Sequence, residues 1–184
     1  HNSFYAEGGG QAGDQGLLKV SSSAQAKVFD TTKQNDVFFH HVEIEKGELK
    51  TGDPVTAEVS SNERRSTAAN HSATHLLHSA LRKVLGTHVT QAGQMVDAVR
   101  IRFDFTHNKA VTADELLKME ELVNQEVAKA EPIVAKVMKH KEALATGAMA
   151  LVGEKYGDEV RVLKMGDFST ELCGGTHASN TSQI

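Results

Sequence analysis

The sequence predicts an α+β protein: a small strand-rich barrel or sandwich, then helices packed on a mostly antiparallel sheet. Three observations carry this. The first 60 residues alternate turn signals with short β-like runs. Two later stretches open with helix-capping spacings and continue with helical apolar periodicity. Residues 99–105 alternate apolar and polar side chains as a half-buried strand does. At 184 residues the chain is long enough for one good core, or a core with a small satellite. The expected division falls between residues 1–60 and 61–184.

In the first unit, turn signals at Gly8-Gly9-Gly10, Asp14-Gln15-Gly16, Lys46-Gly47 and Thr51-Gly52-Asp53-Pro54 separate β-like runs over 17–20, 26–29, 37–44 and 55–59. Ser60 and Glu63 then have capping-box spacing ahead of good helix formers that stop at Gly86, so a helix is expected over 62–85. On it Ala69, Ala73, Leu76, Leu77, Ala80, Leu81 and Val84 share one broad apolar side, while His71, His75, His78 and Arg82 line a separate narrow stripe. Val99, Ile101, Phe103 and Phe105 form one face of the following strand, with Arg100, Arg102 and Asp104 on the other. Thr112 and Glu115 make a second capping box, and Leu116, Met119, Val123, Val127 and Ala130 carry helical spacing up to Pro132. The acidic stretch 115–126 is expected to face water. Strands are expected over 133–138 and 159–165, with a short helical piece over 142–152 between them.

Composition narrows the function classes. With 39% apolar and 24% charged residues the chain should fold rather than stay disordered. No apolar run approaches the ~20 residues that span a bilayer, and no basic-then-apolar signal opens the sequence, which leads to the expectation of a soluble, cytoplasmic protein without a membrane partner. The single cysteine, Cys173, rules out an internal disulfide and leaves a ligand, a nucleophile or a packing role. A formal net charge of -4 gives no bulk attraction to a polyanion, so RNA contact would need local basic clusters. Opening at His1 without a methionine and ending just after its densest motif, the chain is expected to be part of something longer.

The chemistry concentrates in two short motifs. In His71-Ser72-Ala73-Thr74-His75 the two histidines lie one helical turn apart, about 6 Å along the axis, so both imidazoles can bind one ion. The alternative is a chance pair on a solvated face, and His78 on the same stripe competes as a ligand. In Cys173-Gly174-Gly175-Thr176-His177 the glycines permit positive backbone dihedrals that fold a loop back and converge a thiolate with an imidazole. The alternative there is a buried cysteine near a turn. Together the motifs supply four N/S ligands of the kind zinc prefers; spacing alone does not decide between a closed structural site and an open catalytic one. Ser72 stands where a His-x3-His metalloprotease carries its glutamate base, which argues against that class.

Three motifs in order resemble one family over nearly the whole chain. Phe4-Tyr5-Ala6-Glu7-Gly8-Gly9-Gly10-Gln11 looks like a glycine motif, Asn70-His71-Ser72-Ala73-Thr74-His75-Leu76-Leu77-His78 like a first zinc motif, and Glu171-Leu172-Cys173-Gly174-Gly175-Thr176-His177 like a second. They resemble the editing domains of alanyl-tRNA synthetases, their stand-alone trans-editing relatives and, more distantly, the editing domain of threonyl-tRNA synthetases. The resemblance implies a small N-terminal β-barrel joined to a two-layer α/β editing core, with a cleft between them for the aminoacylated 3′ end of alanine tRNA. It implies zinc held by His71, His75, Cys173 and His177. It also implies that Gly8, Gly9, Gly10 and Gln11 lie near the terminal adenosine and that Gln91 helps to discriminate the substrate. The sequence departs from the family at Gln94, where serine is usual, at Gly8, where the synthetases often carry serine, and at Ser182, where glycine is common.

The activity implied is hydrolysis of a mischarged seryl or glycyl ester, as part of a larger synthetase chain. Zinc would polarise the carbonyl, orient the substrate or lower the pKa of a water. Alanine is smaller than serine, so size cannot exclude it; a buried hydrogen bond to the serine hydroxyl can, and Thr74, Gln91 and Thr176 are the candidate partners. Arg64, Arg65, Arg82 and Lys83 are candidates for phosphate contact, with solvated helix charges as the alternative. Two rival readings are a tRNA 3′-end binding module with a purely structural zinc, and a zinc hydrolase of small esters.

Overall fold

The computed structural model describes residues 2–20, 23–150 and 157–184. It is α+β, as the patterning predicts. Strands β1 (Gly16–Val20), β2 (Ala24–Gln34), β3 (Val37–Lys46) and β4 (Thr56–Val59) take up the four expected runs and form one antiparallel sheet in the order β3-β2-β1-β4. Asn35 and Asp36, both at positive φ, make the two-residue turn between β2 and β3, a conformation that matches the twist of paired strands. Ala24, Ala26 and Val28 bury one face of β2, whereas the edge strand β3 leaves Val37, Phe39 and Ile44 exposed.

Helix α1 (Ser61–Leu85) runs seven turns and ends at Gly86, whose φ of 119° stops it. Its start differs from the expected capping box. The Ser60 N–H already donates to the Gln15 carbonyl, so the Glu63 carboxylate has no free cap N–H to reach and accepts from the Ser60 hydroxyl instead. The burial of α1 decides between the two readings of its histidine stripe. His71, His75 and His78 are buried, while Ala69 and Ala73 on the apolar side are only partly so. Leu76, Ala80 and Leu81 face a core shared with Met119 and Leu163, and the histidine stripe faces the last strand and the loop after it, so the helix is covered on two sides.

The hairpin β5 (Gln91–Val96) and β6 (Ile101–Phe105) comes next. Val99, expected inside the strand, is 89% exposed in the turn, where the Asp97 carboxylate accepts the N–H groups of Val99 and Arg100 and so delays the strand by two residues. Helix α2 (Ala113–Ala128) carries the full Thr112–Glu115 capping box. Met119 is buried, and Val123 and Val127 pack on the core, but Leu116 is exposed and Ala130 lies past the helix end at positive φ. Within the acidic stretch, Glu126 is an exception to the expected solvation: it is buried and pairs with Lys129.

Strands β7 (Ile133–Lys139), β8 (Glu159–Met165) and β9 (Ser169–Leu172) form a three-stranded antiparallel sheet in that order. The helical piece before β8 starts earlier and is shorter than expected: α3 (His140–Ala145) closes at Thr146 and Gly147, the latter at positive φ. Residues 151 and 152 of that expectation lie outside the described residues. Ala143, Ala148, Val160, Val162 and Leu172 form a second apolar cluster under this sheet. Among the described residues no helix is long and apolar enough to cross a membrane.

Candidate metal centre

The site forms where the middle of α1 meets the loop leaving β9. One ligand atom each from His71, His75, Cys173 and His177 lies within 4.8 Å of every other. Cys173 Sγ is 3.5 Å from His71 Nε2 and 3.2 Å from His177 Nε2. Donor atoms around a tetrahedral zinc stand about 3.3–3.6 Å apart, given Zn–N near 2.0 Å and Zn–S near 2.3 Å, so this cluster has close to the right size.

The protons are arranged to match. His71 Nδ1 faces the Gln11 side-chain oxygen at 2.8 Å, and His75 Nδ1 faces a Glu171 carboxylate oxygen at 2.8 Å. His177 Nδ1 is 3.3 Å from the Ser72 hydroxyl, which itself donates to the Ala68 carbonyl and therefore accepts from the ring. All three imidazoles thus spend Nδ1 on an outer acceptor and turn Nε2 to the common centre, the arrangement by which second partners orient metal-binding histidines. His75 Nε2 is buried with no hydrogen-bond partner among the described residues. A buried ring nitrogen left so costs about 1–3 kcal/mol unless something binds it. These residues fit a zinc ion.

The electrostatics agree. Burial pushes the Cys173 thiol up, but the neighbouring His177, His71 and His75 outweigh it and hold the group at about 3, as a thiolate. Burial likewise raises Glu171, and the positive charge and hydrogen bonds of His75, with His78, bring it down to about 2. Thiolate and carboxylate together match the charge of a divalent cation. Burial lowers His75, and Glu171 overcomes this and raises it to about 10, while His177 is pushed down to about 4 mainly by burial. His78, the rival ligand, stands outside the cluster: its Nδ1 faces Glu171 at 3.1 Å and its ring packs on Phe103.

The glycine pair works differently from the sequence expectation. Neither Gly174 nor Gly175 has positive φ; what the loop needs is close approach at Gly175, where a Cβ would lie 2.3 Å from the His71 ring. Arg161 on β8 clamps the same loop, donating to the carbonyls of Cys173 and Gly175 at 3.0 and 2.8 Å.

Beside the cluster opens a cavity of about 400 Å³, lined by Tyr5, Gly8 and Gly9, by Gln94, by Arg161 and by His71 and Cys173–Gly175 among others. The sequence-predicted residues divide around it. Gly8 and Gly9 line it. Gly10 packs against the Gln94 backbone and is absent from the lining. Gln11 is 1% exposed behind the cluster, and the Thr176 hydroxyl accepts from its amide. Thr74 is buried and donates to the Asn70 carbonyl within α1, so its hydroxyl is not brought to the cavity. Gln91 lies outside the lining, but a bulge between Gln91 and Gly93 pairs Gln91 with Phe105 and Gln94 with Phe103, so both amides share one face of the hairpin. The Gln91 amide has no hydrogen-bond partner among the described residues.

Of the basic candidates, Arg64 is paired to the buried Asp14 and the Ser3 carbonyl, Arg82 donates to the Val89 carbonyl, and Lys83 sits 3.8 Å over the Phe168 ring. Internal contacts therefore occupy these three, and Arg65, exposed like Lys83, bonds only its helix neighbour Asn62. Sequence reasoning did not assign roles to Glu171, Gln94 or Arg161. For Glu171 a signal existed: two residues before Cys173 at the end of a strand, it points to the same side.

Residues 1–63 match the family model described as tRNA synthetases class II (A), and residues 160–184 match the threonyl and alanyl tRNA synthetase second additional domain. The chain is 60% identical over 181 residues, 98% of its length, to an alanine–tRNA ligase of Bdellovibrio bacteriovorus. It is 55% identical to that of Burkholderia multivorans and 56% to that of Paraburkholderia xenovorans, each over 185 aligned residues covering the whole chain. It spans only 20–21% of the length of these relatives.

Proposed function

We propose that this chain, whose sequence belongs to the alanyl-tRNA synthetase family, hydrolyses the ester that joins a wrongly attached serine or glycine to the 3′ end of alanine tRNA. The observation that carries the reading is a four-donor cluster, with its outer protons already committed, opening on a cavity walled by the Gly8-Gly9 turn. In this reading the chain works within a longer synthetase in the cytoplasm, with aminoacylated tRNA as its partner.

His71, His75, Cys173 and His177 would hold zinc. When bound, the ion supplies Lewis acidity and a water of lowered pKa. Glu171, Gln11 and Ser72 keep the three rings in the orientation that leaves Nε2 inward. Gly8 and Gly9 carry no side chain into the cavity and let a ribose and base approach the backbone there, while Gln94 fixes the turn through the Gly9 carbonyl at 2.6 Å. Gln91, on the same hairpin face as Gln94, contacts the serine hydroxyl and supports discrimination against alanine.

A second reading rests on the same cluster. Four protein donors complete a closed zinc site, which is the structural kind, and a tRNA-end binding module would need no more. Deacylation of seryl-, glycyl- and alanyl-tRNA with and without a chelator separates the two. Faster hydrolysis of the seryl and glycyl esters, lost on chelation and restored by zinc, supports the editing reading. A zinc-loaded protein that protects seryl-tRNA instead of cleaving it supports the binding module, and cleavage of free esters without dependence on tRNA points to a small-ester hydrolase.

A further inference from the structure

Gln11 comes from the N-terminal glycine turn, yet its side chain ends inside the metal centre, 60 residues away from one ligand in sequence and 165 from the loop that carries two others. The backbone delivers it there: Ala12 N–H donates to the Val96 carbonyl and Val96 N–H to the Gly10 carbonyl, so the segment lies along β5 like a short extra strand. The side-chain oxygen receives two contacts, the Thr176 backbone N–H at 2.9 Å and His71 Nδ1 at 2.8 Å. The side-chain nitrogen donates to the Thr176 hydroxyl at 2.8 Å.

This pattern determines the protons. A backbone N–H can only donate, so the Gln11 atom facing Thr176 N is the oxygen. The same oxygen faces His71 Nδ1, which must then carry the hydrogen, and Nε2 is the free donor atom. We propose that Gln11 is a positioning residue for the metal centre: it fixes the His71 tautomer and, through Thr176, ties the helix ligand to the loop that carries Cys173 and His177. The inference rests on the zinc reading above. It moves Gln11 from the substrate-binding group to the frame of the ion, and it makes the N-terminal segment part of the metal site. The energetic logic is that of an outer partner of a metal-bound histidine, whose loss typically weakens metal binding about 10- to 100-fold.

The test uses the 184-residue chain and zinc itself, with competition against a chromophoric chelator and the absorption spectrum of the cobalt-substituted protein as readouts. Gln11→Met keeps the volume and removes the amide; Gln11→Glu keeps an acceptor for both His71 and Thr176. Expected are a loss of zinc affinity of about 10- to 100-fold with altered cobalt ligand-field bands in Q11M, and parent-like affinity in Q11E. A Q11M protein with parent affinity and an unchanged spectrum overturns the proposal, as does an equal loss in Q11E, which would mark a packing effect. Imidazole nitrogen NMR of the zinc-loaded parent gives an independent reading whether or not a variant folds: His71 protonated at Nε2 overturns the assignment, and protonation at Nδ1 supports it. A parent without zinc affinity overturns both this inference and the zinc reading, whereas a zinc-binding parent with an unaffected Q11M overturns this one alone.

Discussion

Replacing Gly175 with alanine adds one methyl group at the most crowded point of the metal centre. The new Cβ would lie 2.3 Å from His71 Cε1, about 1.1 Å inside the 3.4 Å at which ordinary contact begins, and 2.8 Å from the Gln11 oxygen. Relief requires the His71 ring or the Cys173–His177 loop to retreat, and either motion spoils the 3.5 Å approach of Nε2 to Sγ. Overpacking of this kind costs about 1–3 kcal/mol. If the strain is released by giving up ligand geometry, zinc affinity falls about 5- to 150-fold, at about 1.4 kcal/mol per factor of ten. Gly174 is the control, because a Cβ there meets nothing within 4 Å and its φ is not positive. Chelator competition on G175A and G174A, with circular dichroism to confirm folding, measures the contrast. Equal affinity in the two variants, or a larger loss in G174A, would refute the steric argument.

Three further outcomes are expected. Thr112→Ala removes a complete capping box and should cost about 1 kcal/mol in urea unfolding, whereas Ser60→Ala, whose hydroxyl accepts no helix N–H, should stay within about 0.5 kcal/mol; equal costs would contradict the two caps as described. Zinc affinity should climb about tenfold per pH unit above neutrality and level off near 10, because Glu171 keeps His75 protonated in the ion-free protein while Cys173 is already a thiolate and His177 a neutral imidazole at pH 7. The sign follows from the ion displacing that proton, and calorimetry in buffers of different ionisation heat should count about one released per zinc. Gln91→Ala should narrow the difference between seryl- and alanyl-tRNA deacylation rates, and an unchanged ratio would remove Gln91 from substrate selection.

Much of the fold was legible because its signals are local. Alternation with period two and apolar spacing near 3.6 mark strands and helices within a few residues, and all four N-terminal runs, α1, α2, β6, β7 and β8 were visible this way, whereas β9 was not. The departures in burial share one cause. Whether the histidine stripe of α1 faces water or protein depends on what packs there, and the periodicity that separates two faces does not say which of them is covered. The same holds for Leu116, apolar in pattern and exposed in fact, and for Glu126, acidic and buried.

For the site, the sequence by itself determined the donors: two imidazoles one turn apart on a helix, and a thiolate with an imidazole across a short glycine loop. That these four meet is a property of the tertiary structure, since α1 and the loop after β9 are about a hundred residues apart and only packing closes the distance. Tertiary structure alone also brought in the outer acceptor Gln11, set Glu171 against His75, and turned the bulge in β5 so that Gln91 and Gln94 share a side. Chemical type is written residue by residue, but a hydrogen bond spanning 60 to 105 positions exists only once burial has fixed both of its ends.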